Sequence, residues 1–275
     1  MAASYGEGDF FAREIDRRMQ ERLDYVTLKP GRILDIGCSR GASFPALAAR
    51  YPDAELLGLD ISPTMLAAAQ PQRSGWQRWL GIGKDGSPLR LAADAANLPL
   101  ASRSVSLVWS NLLLHWLDDP IPALAEAHRV LEIGGLLMFS TLGPDTLKEL
   151  RSAFNDGYAH TQRFADMHDL GDMLVGCGFA DPVMDMEVIT LTYTDLDAMF
   201  TDLRAAGSMC AMKARRHGLT GRQSWQAVRT AYESLRHDGK LPATFEVVYG
   251  HAWKVAPKQT PDGRAIVRFD LPRKG

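Results

Sequence analysis

The chain has little cysteine for its length. Three of its 275 residues are cysteines, Cys38, Cys177 and Cys210, and they lie far apart in the sequence. This spacing argues against a disulfide framework and against the paired Cys or His ligands of a zinc site. We therefore expect no metal to be needed, and we expect a reducing compartment, the cytoplasm, as the location.

An excess of positive charge and long apolar runs are missing as well. Lysine and arginine number 31 against 33 aspartates and glutamates, so the formal net charge is -2. General binding to nucleic acid favours a basic chain, so that function is not expected. The first residues, MAASYGEGDFF, carry neither a basic segment nor an apolar one, and no apolar run reaches membrane-spanning length. Export and membrane insertion are not expected.

The chain does contain enough apolar sequence for a large core. Hydrophobic residues make up 46% of it and charged residues 23%, a balance typical of a globular protein. At this length we expect one large domain over residues 1–275. Within that domain we distinguish an N-terminal helical segment, 1–28, and a helical lid inserted at about 195–240.

Strands and helices alternate along the first half of the chain. Residues 8–25 carry apolar side chains at helical spacing, and we expect this helix to pack on the sheet edge. Five short apolar strands are predicted next: RILDIG, AELLGLDI, LRLAAD, SVSLVWSN and GGLLMFSTL. With helices between most of them, they predict a parallel sheet buried on both faces. Further helices and two strands, VMDMEVITLTY and TFEVVYGHAWKVA, are expected after residue 142.

The turn after the first strand has the composition of a ligand-binding loop. It reads Gly37-Cys-Ser-Arg-Gly41, and its two glycines allow the backbone to approach a ligand closely. Asp60 ends the second strand, where a carboxylate can accept hydrogen bonds from ribose hydroxyls. The dinucleotide fingerprint G-x-G-x-x-G is absent, so an NAD dehydrogenase is the weakest of the functions considered.

The stretch LDIGCSRG resembles motif I of the class I S-adenosylmethionine (SAM) methyltransferases, and AADAANLPLASRSVSLVWSN resembles their third and fourth strands. The resemblance implies a Rossmann-like α/β fold: a seven-stranded, mostly parallel sheet with one antiparallel strand and helices on both faces. It also implies SAM as cofactor, with Asp35 near the methionine end, Asp60 at the ribose and Asp94 at the adenine. The predicted cofactor-binding residues are Asp35, Gly37, Ser39, Gly41, Asp60, Ile61, Asp94, Ala95 and Asn111.

Ser39 departs from the family pattern, in which glycine is usual at this position of the loop. Two consequences are open. The serine Cβ crowds the cofactor or strains the backbone, or the hydroxyl donates a hydrogen bond to a ligand. For the loop as a whole, the alternative is a structural turn that binds nothing.

Three later stretches point to one branch of these enzymes. Residues 136–154, 163–193 and 241–253 closely resemble the malonyl-acyl-carrier-protein O-methyltransferases of biotin synthesis. The resemblance implies methyl esterification of the free carboxylate of malonyl carried on acyl-carrier protein, with coenzyme A as a possible alternative carrier. A carboxylate is already ionised at neutral pH, so the reaction needs no general base. The lack of a catalytic triad in the sequence agrees with this chemistry.

The catalytic candidates are side chains able to hold the other oxygen of the substrate carboxylate. His115 follows the fourth strand beside Trp116, and Arg204 lies on the predicted lid. Tyr5 resembles an N-terminal tyrosine that closes over the cofactor in related enzymes. The alternative is a structural or solvent-exposed position for His115 and Arg204, and a disordered terminus for Tyr5.

The predicted lid carries a possible protein interface and a second departure from the family. Four basic residues are candidates for contact with acidic acyl-carrier protein: Lys213, Arg215, Arg216 and Arg222. The family's Gly-Ala-x-Asn pattern is replaced by Gly207-Ser-Met-Cys210. Two alternatives therefore stay open: a SAM-fold relative with another activity, of the assembly-factor or hydroxylase type, and a non-catalytic SAM-fold binding protein. Fold analogy supports each of them, and the site has to decide.

Overall fold

The computed structural model describes residues 9–68, 88–208, 210, 212–218 and 220–257. The strands are β1 (Arg32–Ile36), β2 (Glu55–Asp60), β3 (Leu89–Ala92), β4 (Val105–Ser110), β5 (Leu131–Leu142), β6 (Ala180–Tyr193) and β7 (Leu241–Trp253). The α-helices are α1 (Phe10–Arg22), α2 (Phe44–Arg50), α3 (Pro63–Ala68), α4 (Ile121–Val130), α5 (Lys148–Ala153), α6 (Met167–Gly176), α7 (Leu196–Ala205) and α8 (Arg222–Glu233). Short 3-10 turns occupy Leu23–Tyr25 and Leu114–Trp116.

The strands form one seven-stranded sheet in the order β3-β2-β1-β4-β5-β7-β6. Strands β1 to β5 are parallel to one another, and β7 runs antiparallel between β5 and β6. The predicted sheet, mostly parallel with one antiparallel strand, is therefore confirmed. Because the order reverses between β1 and β4, the carboxyl ends of these central strands form a crevice of the kind in which open α/β sheets bind ligands.

Two apolar layers cover the sheet. One layer, on the side of α1, α2, α7 and α8, includes Leu107, Trp109 and Tyr232. The other, on the side of α4 and α6, includes Val108. Leu107, Val108 and Trp109 are consecutive in β4, so the alternation of side chains along the strand supplies both layers.

Two expectations about this packing were wrong. Helix α1 lies over a face of the sheet instead of at its edge: Ile15 and Met19 are fully buried, and the indole of Trp109 on the central strand β4 donates to Asp16. An apolar stripe needs a broad apolar surface, which a sheet edge does not offer. The five apolar strands were also expected to be buried on both faces, but β3, which lies at one edge of the sheet, is only partly buried.

The segment between β6 and β7 contains α7 and α8, at the position of the predicted lid. Helix α7 begins at an Asp195 cap, whose carboxylate accepts from the amide of Ala198 at 2.8 Å. Tyr232 of α8 is fully buried and donates to the carbonyl of Pro242 at 2.7 Å. Within the described residues, no helix has both the length and the apolar character needed to cross a membrane.

Candidate active site

The loop between β1 and α2 is a tight turn held against β2. The amides of Gly37 and Cys38 both donate to the carbonyl of Leu59, at 2.7 and 3.0 Å. Gly37 and Gly41 have φ of 76° and 78°, the left-handed region in which glycine is unstrained. A Cβ on Gly37 would lie 3.0 Å from Leu113, so the loop also has no room for a side chain at this point.

The carboxylate of Asp60 organises the end of β2. One of its oxygens accepts from the amide of Ser39 at 2.9 Å, and the other accepts from the amide of Ser62 at 2.8 Å. Ile61 beside it is 73% exposed, an unusual state for a large apolar side chain and one that leaves it available to a ligand. Asp60 thus connects the loop after β1 to the next strand end, and its predicted contact with a ribose stays a prediction.

The end of β3 adds the third predicted acidic residue to this edge. Asp94 is exposed, and one of its oxygens accepts from the amide of Ala96 at 2.9 Å. Ala95 is buried beneath it. Since β1, β2 and β3 are adjacent and parallel, the structure brings Asp35, Asp60 and Asp94 to the carboxyl ends of three neighbouring strands.

Two polar atoms in the loop region are buried without a hydrogen-bond partner among the residues that the structure describes: Oδ2 of Asp35 and Oγ of Ser39. Burial raises the pKa of Asp35 well above its ordinary value, and the nearby carboxyls of Asp16 and Asp60 raise it further. Unsatisfied buried polar groups are costly in a folded protein and mark functional positions when they cluster. Asp35 and Ser39 therefore point to a polar ligand in the loop.

Asp16 is a member of this cluster that the sequence did not reveal. It lies on α1, is buried, and accepts hydrogen bonds from Ser43 Oγ at 2.7 Å and Trp109 Nε1 at 3.0 Å. Trp109 is paired in register with Asp35 across β4 and β1, which places Asp16 beside Asp35. Burial raises the pKa of Asp16. Its one sequence signal was an acidic side chain next to the apolar stripe of α1.

Asn111 lies at the end of β4, where it was predicted, but both ends of its amide are already hydrogen-bonded. Nδ2 donates to the carbonyl of Ala12 at 2.8 Å, and Oδ1 accepts from Ser140 Oγ at 2.7 Å. The side chain therefore fastens α1 to the central strands. Its predicted contact with a cofactor stays a prediction.

A pocket of about 290 Å³ opens beside the ends of β4 and β5. Aromatic and aliphatic side chains dominate its lining, with Trp116, Phe164, Phe200 and Trp225 among them. His115 lies at the end nearest the strands, and its Nδ1 is 3.4 Å from Thr141 Oγ1. Burial lowers the pKa of His115 to about 3, so the imidazole is neutral at physiological pH.

The other two catalytic candidates are placed differently. Arg204 is exposed, its guanidinium lies 5.8 Å from the ring of Phe200, and it is outside the residues that line the pocket. The arginines that do line it are Arg215 and Arg216, predicted only as protein-contact residues. Tyr5 lies outside the described residues. Arg204 and Tyr5 have no structural support from this geometry.

The chain is similar to known proteins in sequence and in fold. Residues 34–139, which carry the loop and the strands β1 to β4, match the family described as a methyltransferase domain. The fold is shared with solved structures at low identity. The YcgJ protein of Bacillus subtilis is 15% identical, with 87% of this chain and 99% of that chain covered and a TM-score of 0.58. Phosphoethanolamine N-methyltransferase 2 of Haemonchus contortus, solved with SAM, is 16% identical, with 88% and 52% covered and a TM-score of 0.51.

The fold is that of the class I methyltransferases, and residues 34–139 match a methyltransferase domain. Two curated relatives then narrow the class. The malonyl-[acyl-carrier protein] O-methyltransferase of Gallionella capsiferriformans is 49% identical over 97% of this chain and 92% of its own. The enzyme of the same name from Laribacter hongkongensis is 49% identical over 98% and 92%. The chain belongs to the malonyl-[acyl-carrier protein] O-methyltransferase family.

The residues present fit SAM, the cofactor of this class. SAM carries an ammonium group and ribose hydroxyls, and the loop offers an unpartnered carboxylate oxygen on Asp35 and an unpartnered hydroxyl on Ser39. Asp60 already accepts two amide hydrogen bonds, but a carboxylate has about four acceptor positions and can accept from a ribose as well. In the described part of the chain, no cluster of His, Cys, Asp or Glu is arranged to hold a metal ion.

Proposed function

We propose that the chain transfers the methyl group of SAM to the free carboxylate of malonyl carried on acyl-carrier protein, an early step of biotin synthesis. The observation that carries the proposal is the extent of the identity, 49% over nearly the whole of both chains. It includes the helices that surround the pocket, and not the cofactor-binding half alone. The named relatives thus resemble this chain on the acceptor side too, which favours this activity over the alternatives.

The cofactor side of the site binds and orients. When bound, SAM supplies an electrophilic methyl group on a positively charged sulfur. Asp35 would hold its ammonium group, and Asp60 would accept hydrogen bonds from the ribose hydroxyls. The hydroxyl of Ser39 would form a hydrogen bond with a nearby polar atom of SAM. The exposed Ile61 and the buried Ala95 would pack around the adenine, next to Asp94.

The acceptor side has to bring one carboxylate oxygen in line with the methyl group and keep water away. The substrate carboxylate is its own nucleophile, so alignment and a dry pocket supply the rate enhancement. His115 suits this role because a neutral imidazole can hold one oxygen by a hydrogen bond without neutralising the attacking charge. A fixed cation on the attacking oxygen would weaken the nucleophile.

The partner and the location are finer parts of the same proposal. Acyl-carrier protein is the proposed partner, approached through the basic lid residues Lys213, Arg215, Arg216 and Arg222, three of which are exposed. The support for the cytoplasm is chemical: Cys38, Cys177 and Cys210 are all free thiols, the state that a reducing compartment maintains.

Two measurements test the proposal in sequence. Isothermal titration with S-adenosylhomocysteine (SAH) should show binding, and mass spectrometry of malonyl-acyl-carrier protein incubated with SAM and the enzyme should show the gain of one methyl group. Binding without methylation would instead favour a SAM-fold relative with another activity. Absence of binding would favour a non-catalytic protein with the same fold.

A further inference from the structure

A second cavity adjoins the apolar pocket, and we name it the polar cavity because six of the eight residues that line it have polar or charged side chains. It has a volume of about 260 Å³ and is lined by the segment from Tyr158 to Arg163, together with Arg151 and Met212. Four consecutive residues, 159–162, line both this cavity and the apolar pocket. His115 and Leu142, which line the pocket beside the ends of β4 and β5, do not line the polar cavity.

Residues 159–162, which separate the two cavities, are held by hydrogen bonds and ring stacking. The amide of Ala159 donates to the carbonyl of Ala214 at 3.1 Å, and Cys210 Sγ lies 3.4 Å from the carbonyl of Thr161. The ring of His160 stacks on Phe154, with centroids 3.5 Å apart, and its Nε2 lies 2.8 Å from an oxygen of Asp156. These contacts hold residues 159–162 in place, so a ligand that extends from the polar cavity into the apolar pocket has to cross them.

The charge of the polar cavity is positive. Arg151 donates to the carbonyls of Thr146 and Pro144, so its guanidinium is held in place. A hydrogen bond from Lys148 lowers the pKa of Asp145, and the charges of Lys148 and Arg151 lower it further. Arg163 is exposed and has no ion pair with any residue that the structure describes.

The neighbouring acid does not cancel this charge. Asp156 bonds His160 and lies 3.8 Å from Arg216, which itself lies over the ring of Tyr158. Two guanidinium groups, on Arg151 and Arg163, thus line the cavity beside a phenol, a hydroxyl and an imidazole. Guanidinium groups are among the groups that proteins use to bind phosphate.

We propose that this cavity binds the phosphodiester of a 4'-phosphopantetheine arm, with Arg163 and Arg151 as its cationic contacts and the arm crossing residues 159–162 into the apolar pocket. The proposal rests on the proposed function, because such an arm is how a carrier presents a malonyl thioester. Acyl-carrier protein and coenzyme A both carry this phosphate.

The position of the cavity selects the phosphate over the substrate carboxylate. The carboxylate has to reach the methyl group at the strand ends, where His115 lies, and His115 lines the apolar pocket but not the polar cavity. Phe154, Phe200 and Trp225 line the apolar pocket and give it a surface suited to the methylene and amide groups of a pantetheine chain. A single linear ligand therefore matches the site: its phosphate the polar cavity, its pantetheine chain the apolar pocket, and its carboxylate the strand ends.

The direct test is titration of the SAH-saturated enzyme with 4'-phosphopantetheine and with pantetheine, which lacks the phosphate. The Arg163→Gln variant should weaken binding of 4'-phosphopantetheine about tenfold, as expected for the loss of one charge-assisted hydrogen bond, and leave pantetheine binding unchanged. Arg163→Lys should recover most of the loss. Lys240→Gln removes the same charge at an exposed position outside the cavity and should change neither affinity.

Kinetics identify the source of the phosphate. A raised KM with unchanged kcat for malonyl-acyl-carrier protein in Arg163→Gln would assign the cavity to the carrier protein, and the same effect confined to malonyl-coenzyme A would assign it to the coenzyme. Equal weakening of 4'-phosphopantetheine and pantetheine, or no effect on either, would overturn the proposal. If the wild-type enzyme binds 4'-phosphopantetheine through Arg163 but methylates no malonyl thioester, the cavity stands and the proposed function fails.

Discussion

Ser39 combines two costs at one residue. Its φ of 48° lies in the left-handed region, and its hydroxyl is buried without a hydrogen-bond partner in the described part of the chain. Replacement by glycine removes both, and we expect Ser39→Gly to raise the free energy of unfolding by about 1 kcal/mol, or the melting temperature by about 2–4 °C. If the hydroxyl serves the cofactor, the same variant should bind SAH about fivefold more weakly.

Thermal unfolding without ligand and calorimetric titration with SAH measure the two effects separately. Gain of stability with loss of affinity would show that the serine is retained for binding. Tighter SAH binding in Ser39→Gly would show instead that the serine Cβ crowds the cofactor.

Asp16 allows a test of how charge is arranged around the cofactor ammonium. Burial, Asp16 and Asp60 raise the pKa of Asp35, so protonation of Asp35 competes with cofactor binding as the pH falls. Asp16→Asn keeps an acceptor for Ser43 and Trp109 but removes a negative charge. The pKa of Asp35 should then fall, and SAH affinity should persist to lower pH. Titrations with SAH from about pH 5.5 to about pH 8.5 would show the displaced midpoint.

The other groups around Asp35 do not obscure this reading. Burial raises the pKa of the Cys38 thiol, with Asp35 and Asp60 adding to the shift and Arg90 opposing it, so the thiol stays protonated over this range. Asp60 and Arg90 are present in both proteins. An unchanged pH midpoint in Asp16→Asn would mean that Asp16 only supports the packing of Trp109.

At the scale of elements, the contact between β2 and α2 holds the cofactor loop in place. A Cβ on Gly58 would lie 2.5 Å from the ring of Phe44 and 2.8 Å from Cys38 Sγ. Gly58→Ala should therefore destabilise the protein by about 1–3 kcal/mol and weaken SAH binding, because the loop has to move. Gly171→Ala on α6 is the matched control: no heavy atom lies within 4 Å of its added Cβ. It should gain about 0.5–1 kcal/mol and leave SAH affinity unchanged.

Denaturant unfolding and SAH titration of both variants check this prediction. Loss of stability in Gly58→Ala with full SAH affinity would show that the loop is positioned independently of Phe44.

The elements that the sequence predicted well are those defined by local pattern. Strands β1 and β2 and the turn from Gly37 to Gly41 follow from apolar runs and glycines that act within a few residues. The partner of α1 could not be predicted, because an amphipathic pattern defines an apolar face but not the surface that covers it. Asp16 was missed for a related reason: its role depends on Trp109, which is distant in sequence and reaches it only in the folded sheet.

At the scale of the whole molecule, the site divides between two halves that titrate differently. Asp35, Asp60 and Asp94 follow β1, β2 and β3, whereas the acceptor pocket is formed beside β4 and β5 by His115 and the later helices. The raised pKa of Asp35 makes cofactor binding sensitive to acid. On the acceptor side, burial lowers the pKa of His115 to about 3.

This division predicts the pH profile of methylation. Between about pH 6 and about pH 9, the substrate carboxylate is ionised and His115 is neutral, so kcat should be nearly constant. The KM for SAM should rise as the pH falls, because Asp35 gains a proton and loses its attraction for the ammonium group. Initial rates at saturating malonyl-acyl-carrier protein and varied SAM separate the two constants. A pH profile of kcat with a midpoint near the ordinary histidine pKa of about 6.5 would contradict the prediction, because it would require a histidine that changes its charge within this pH range.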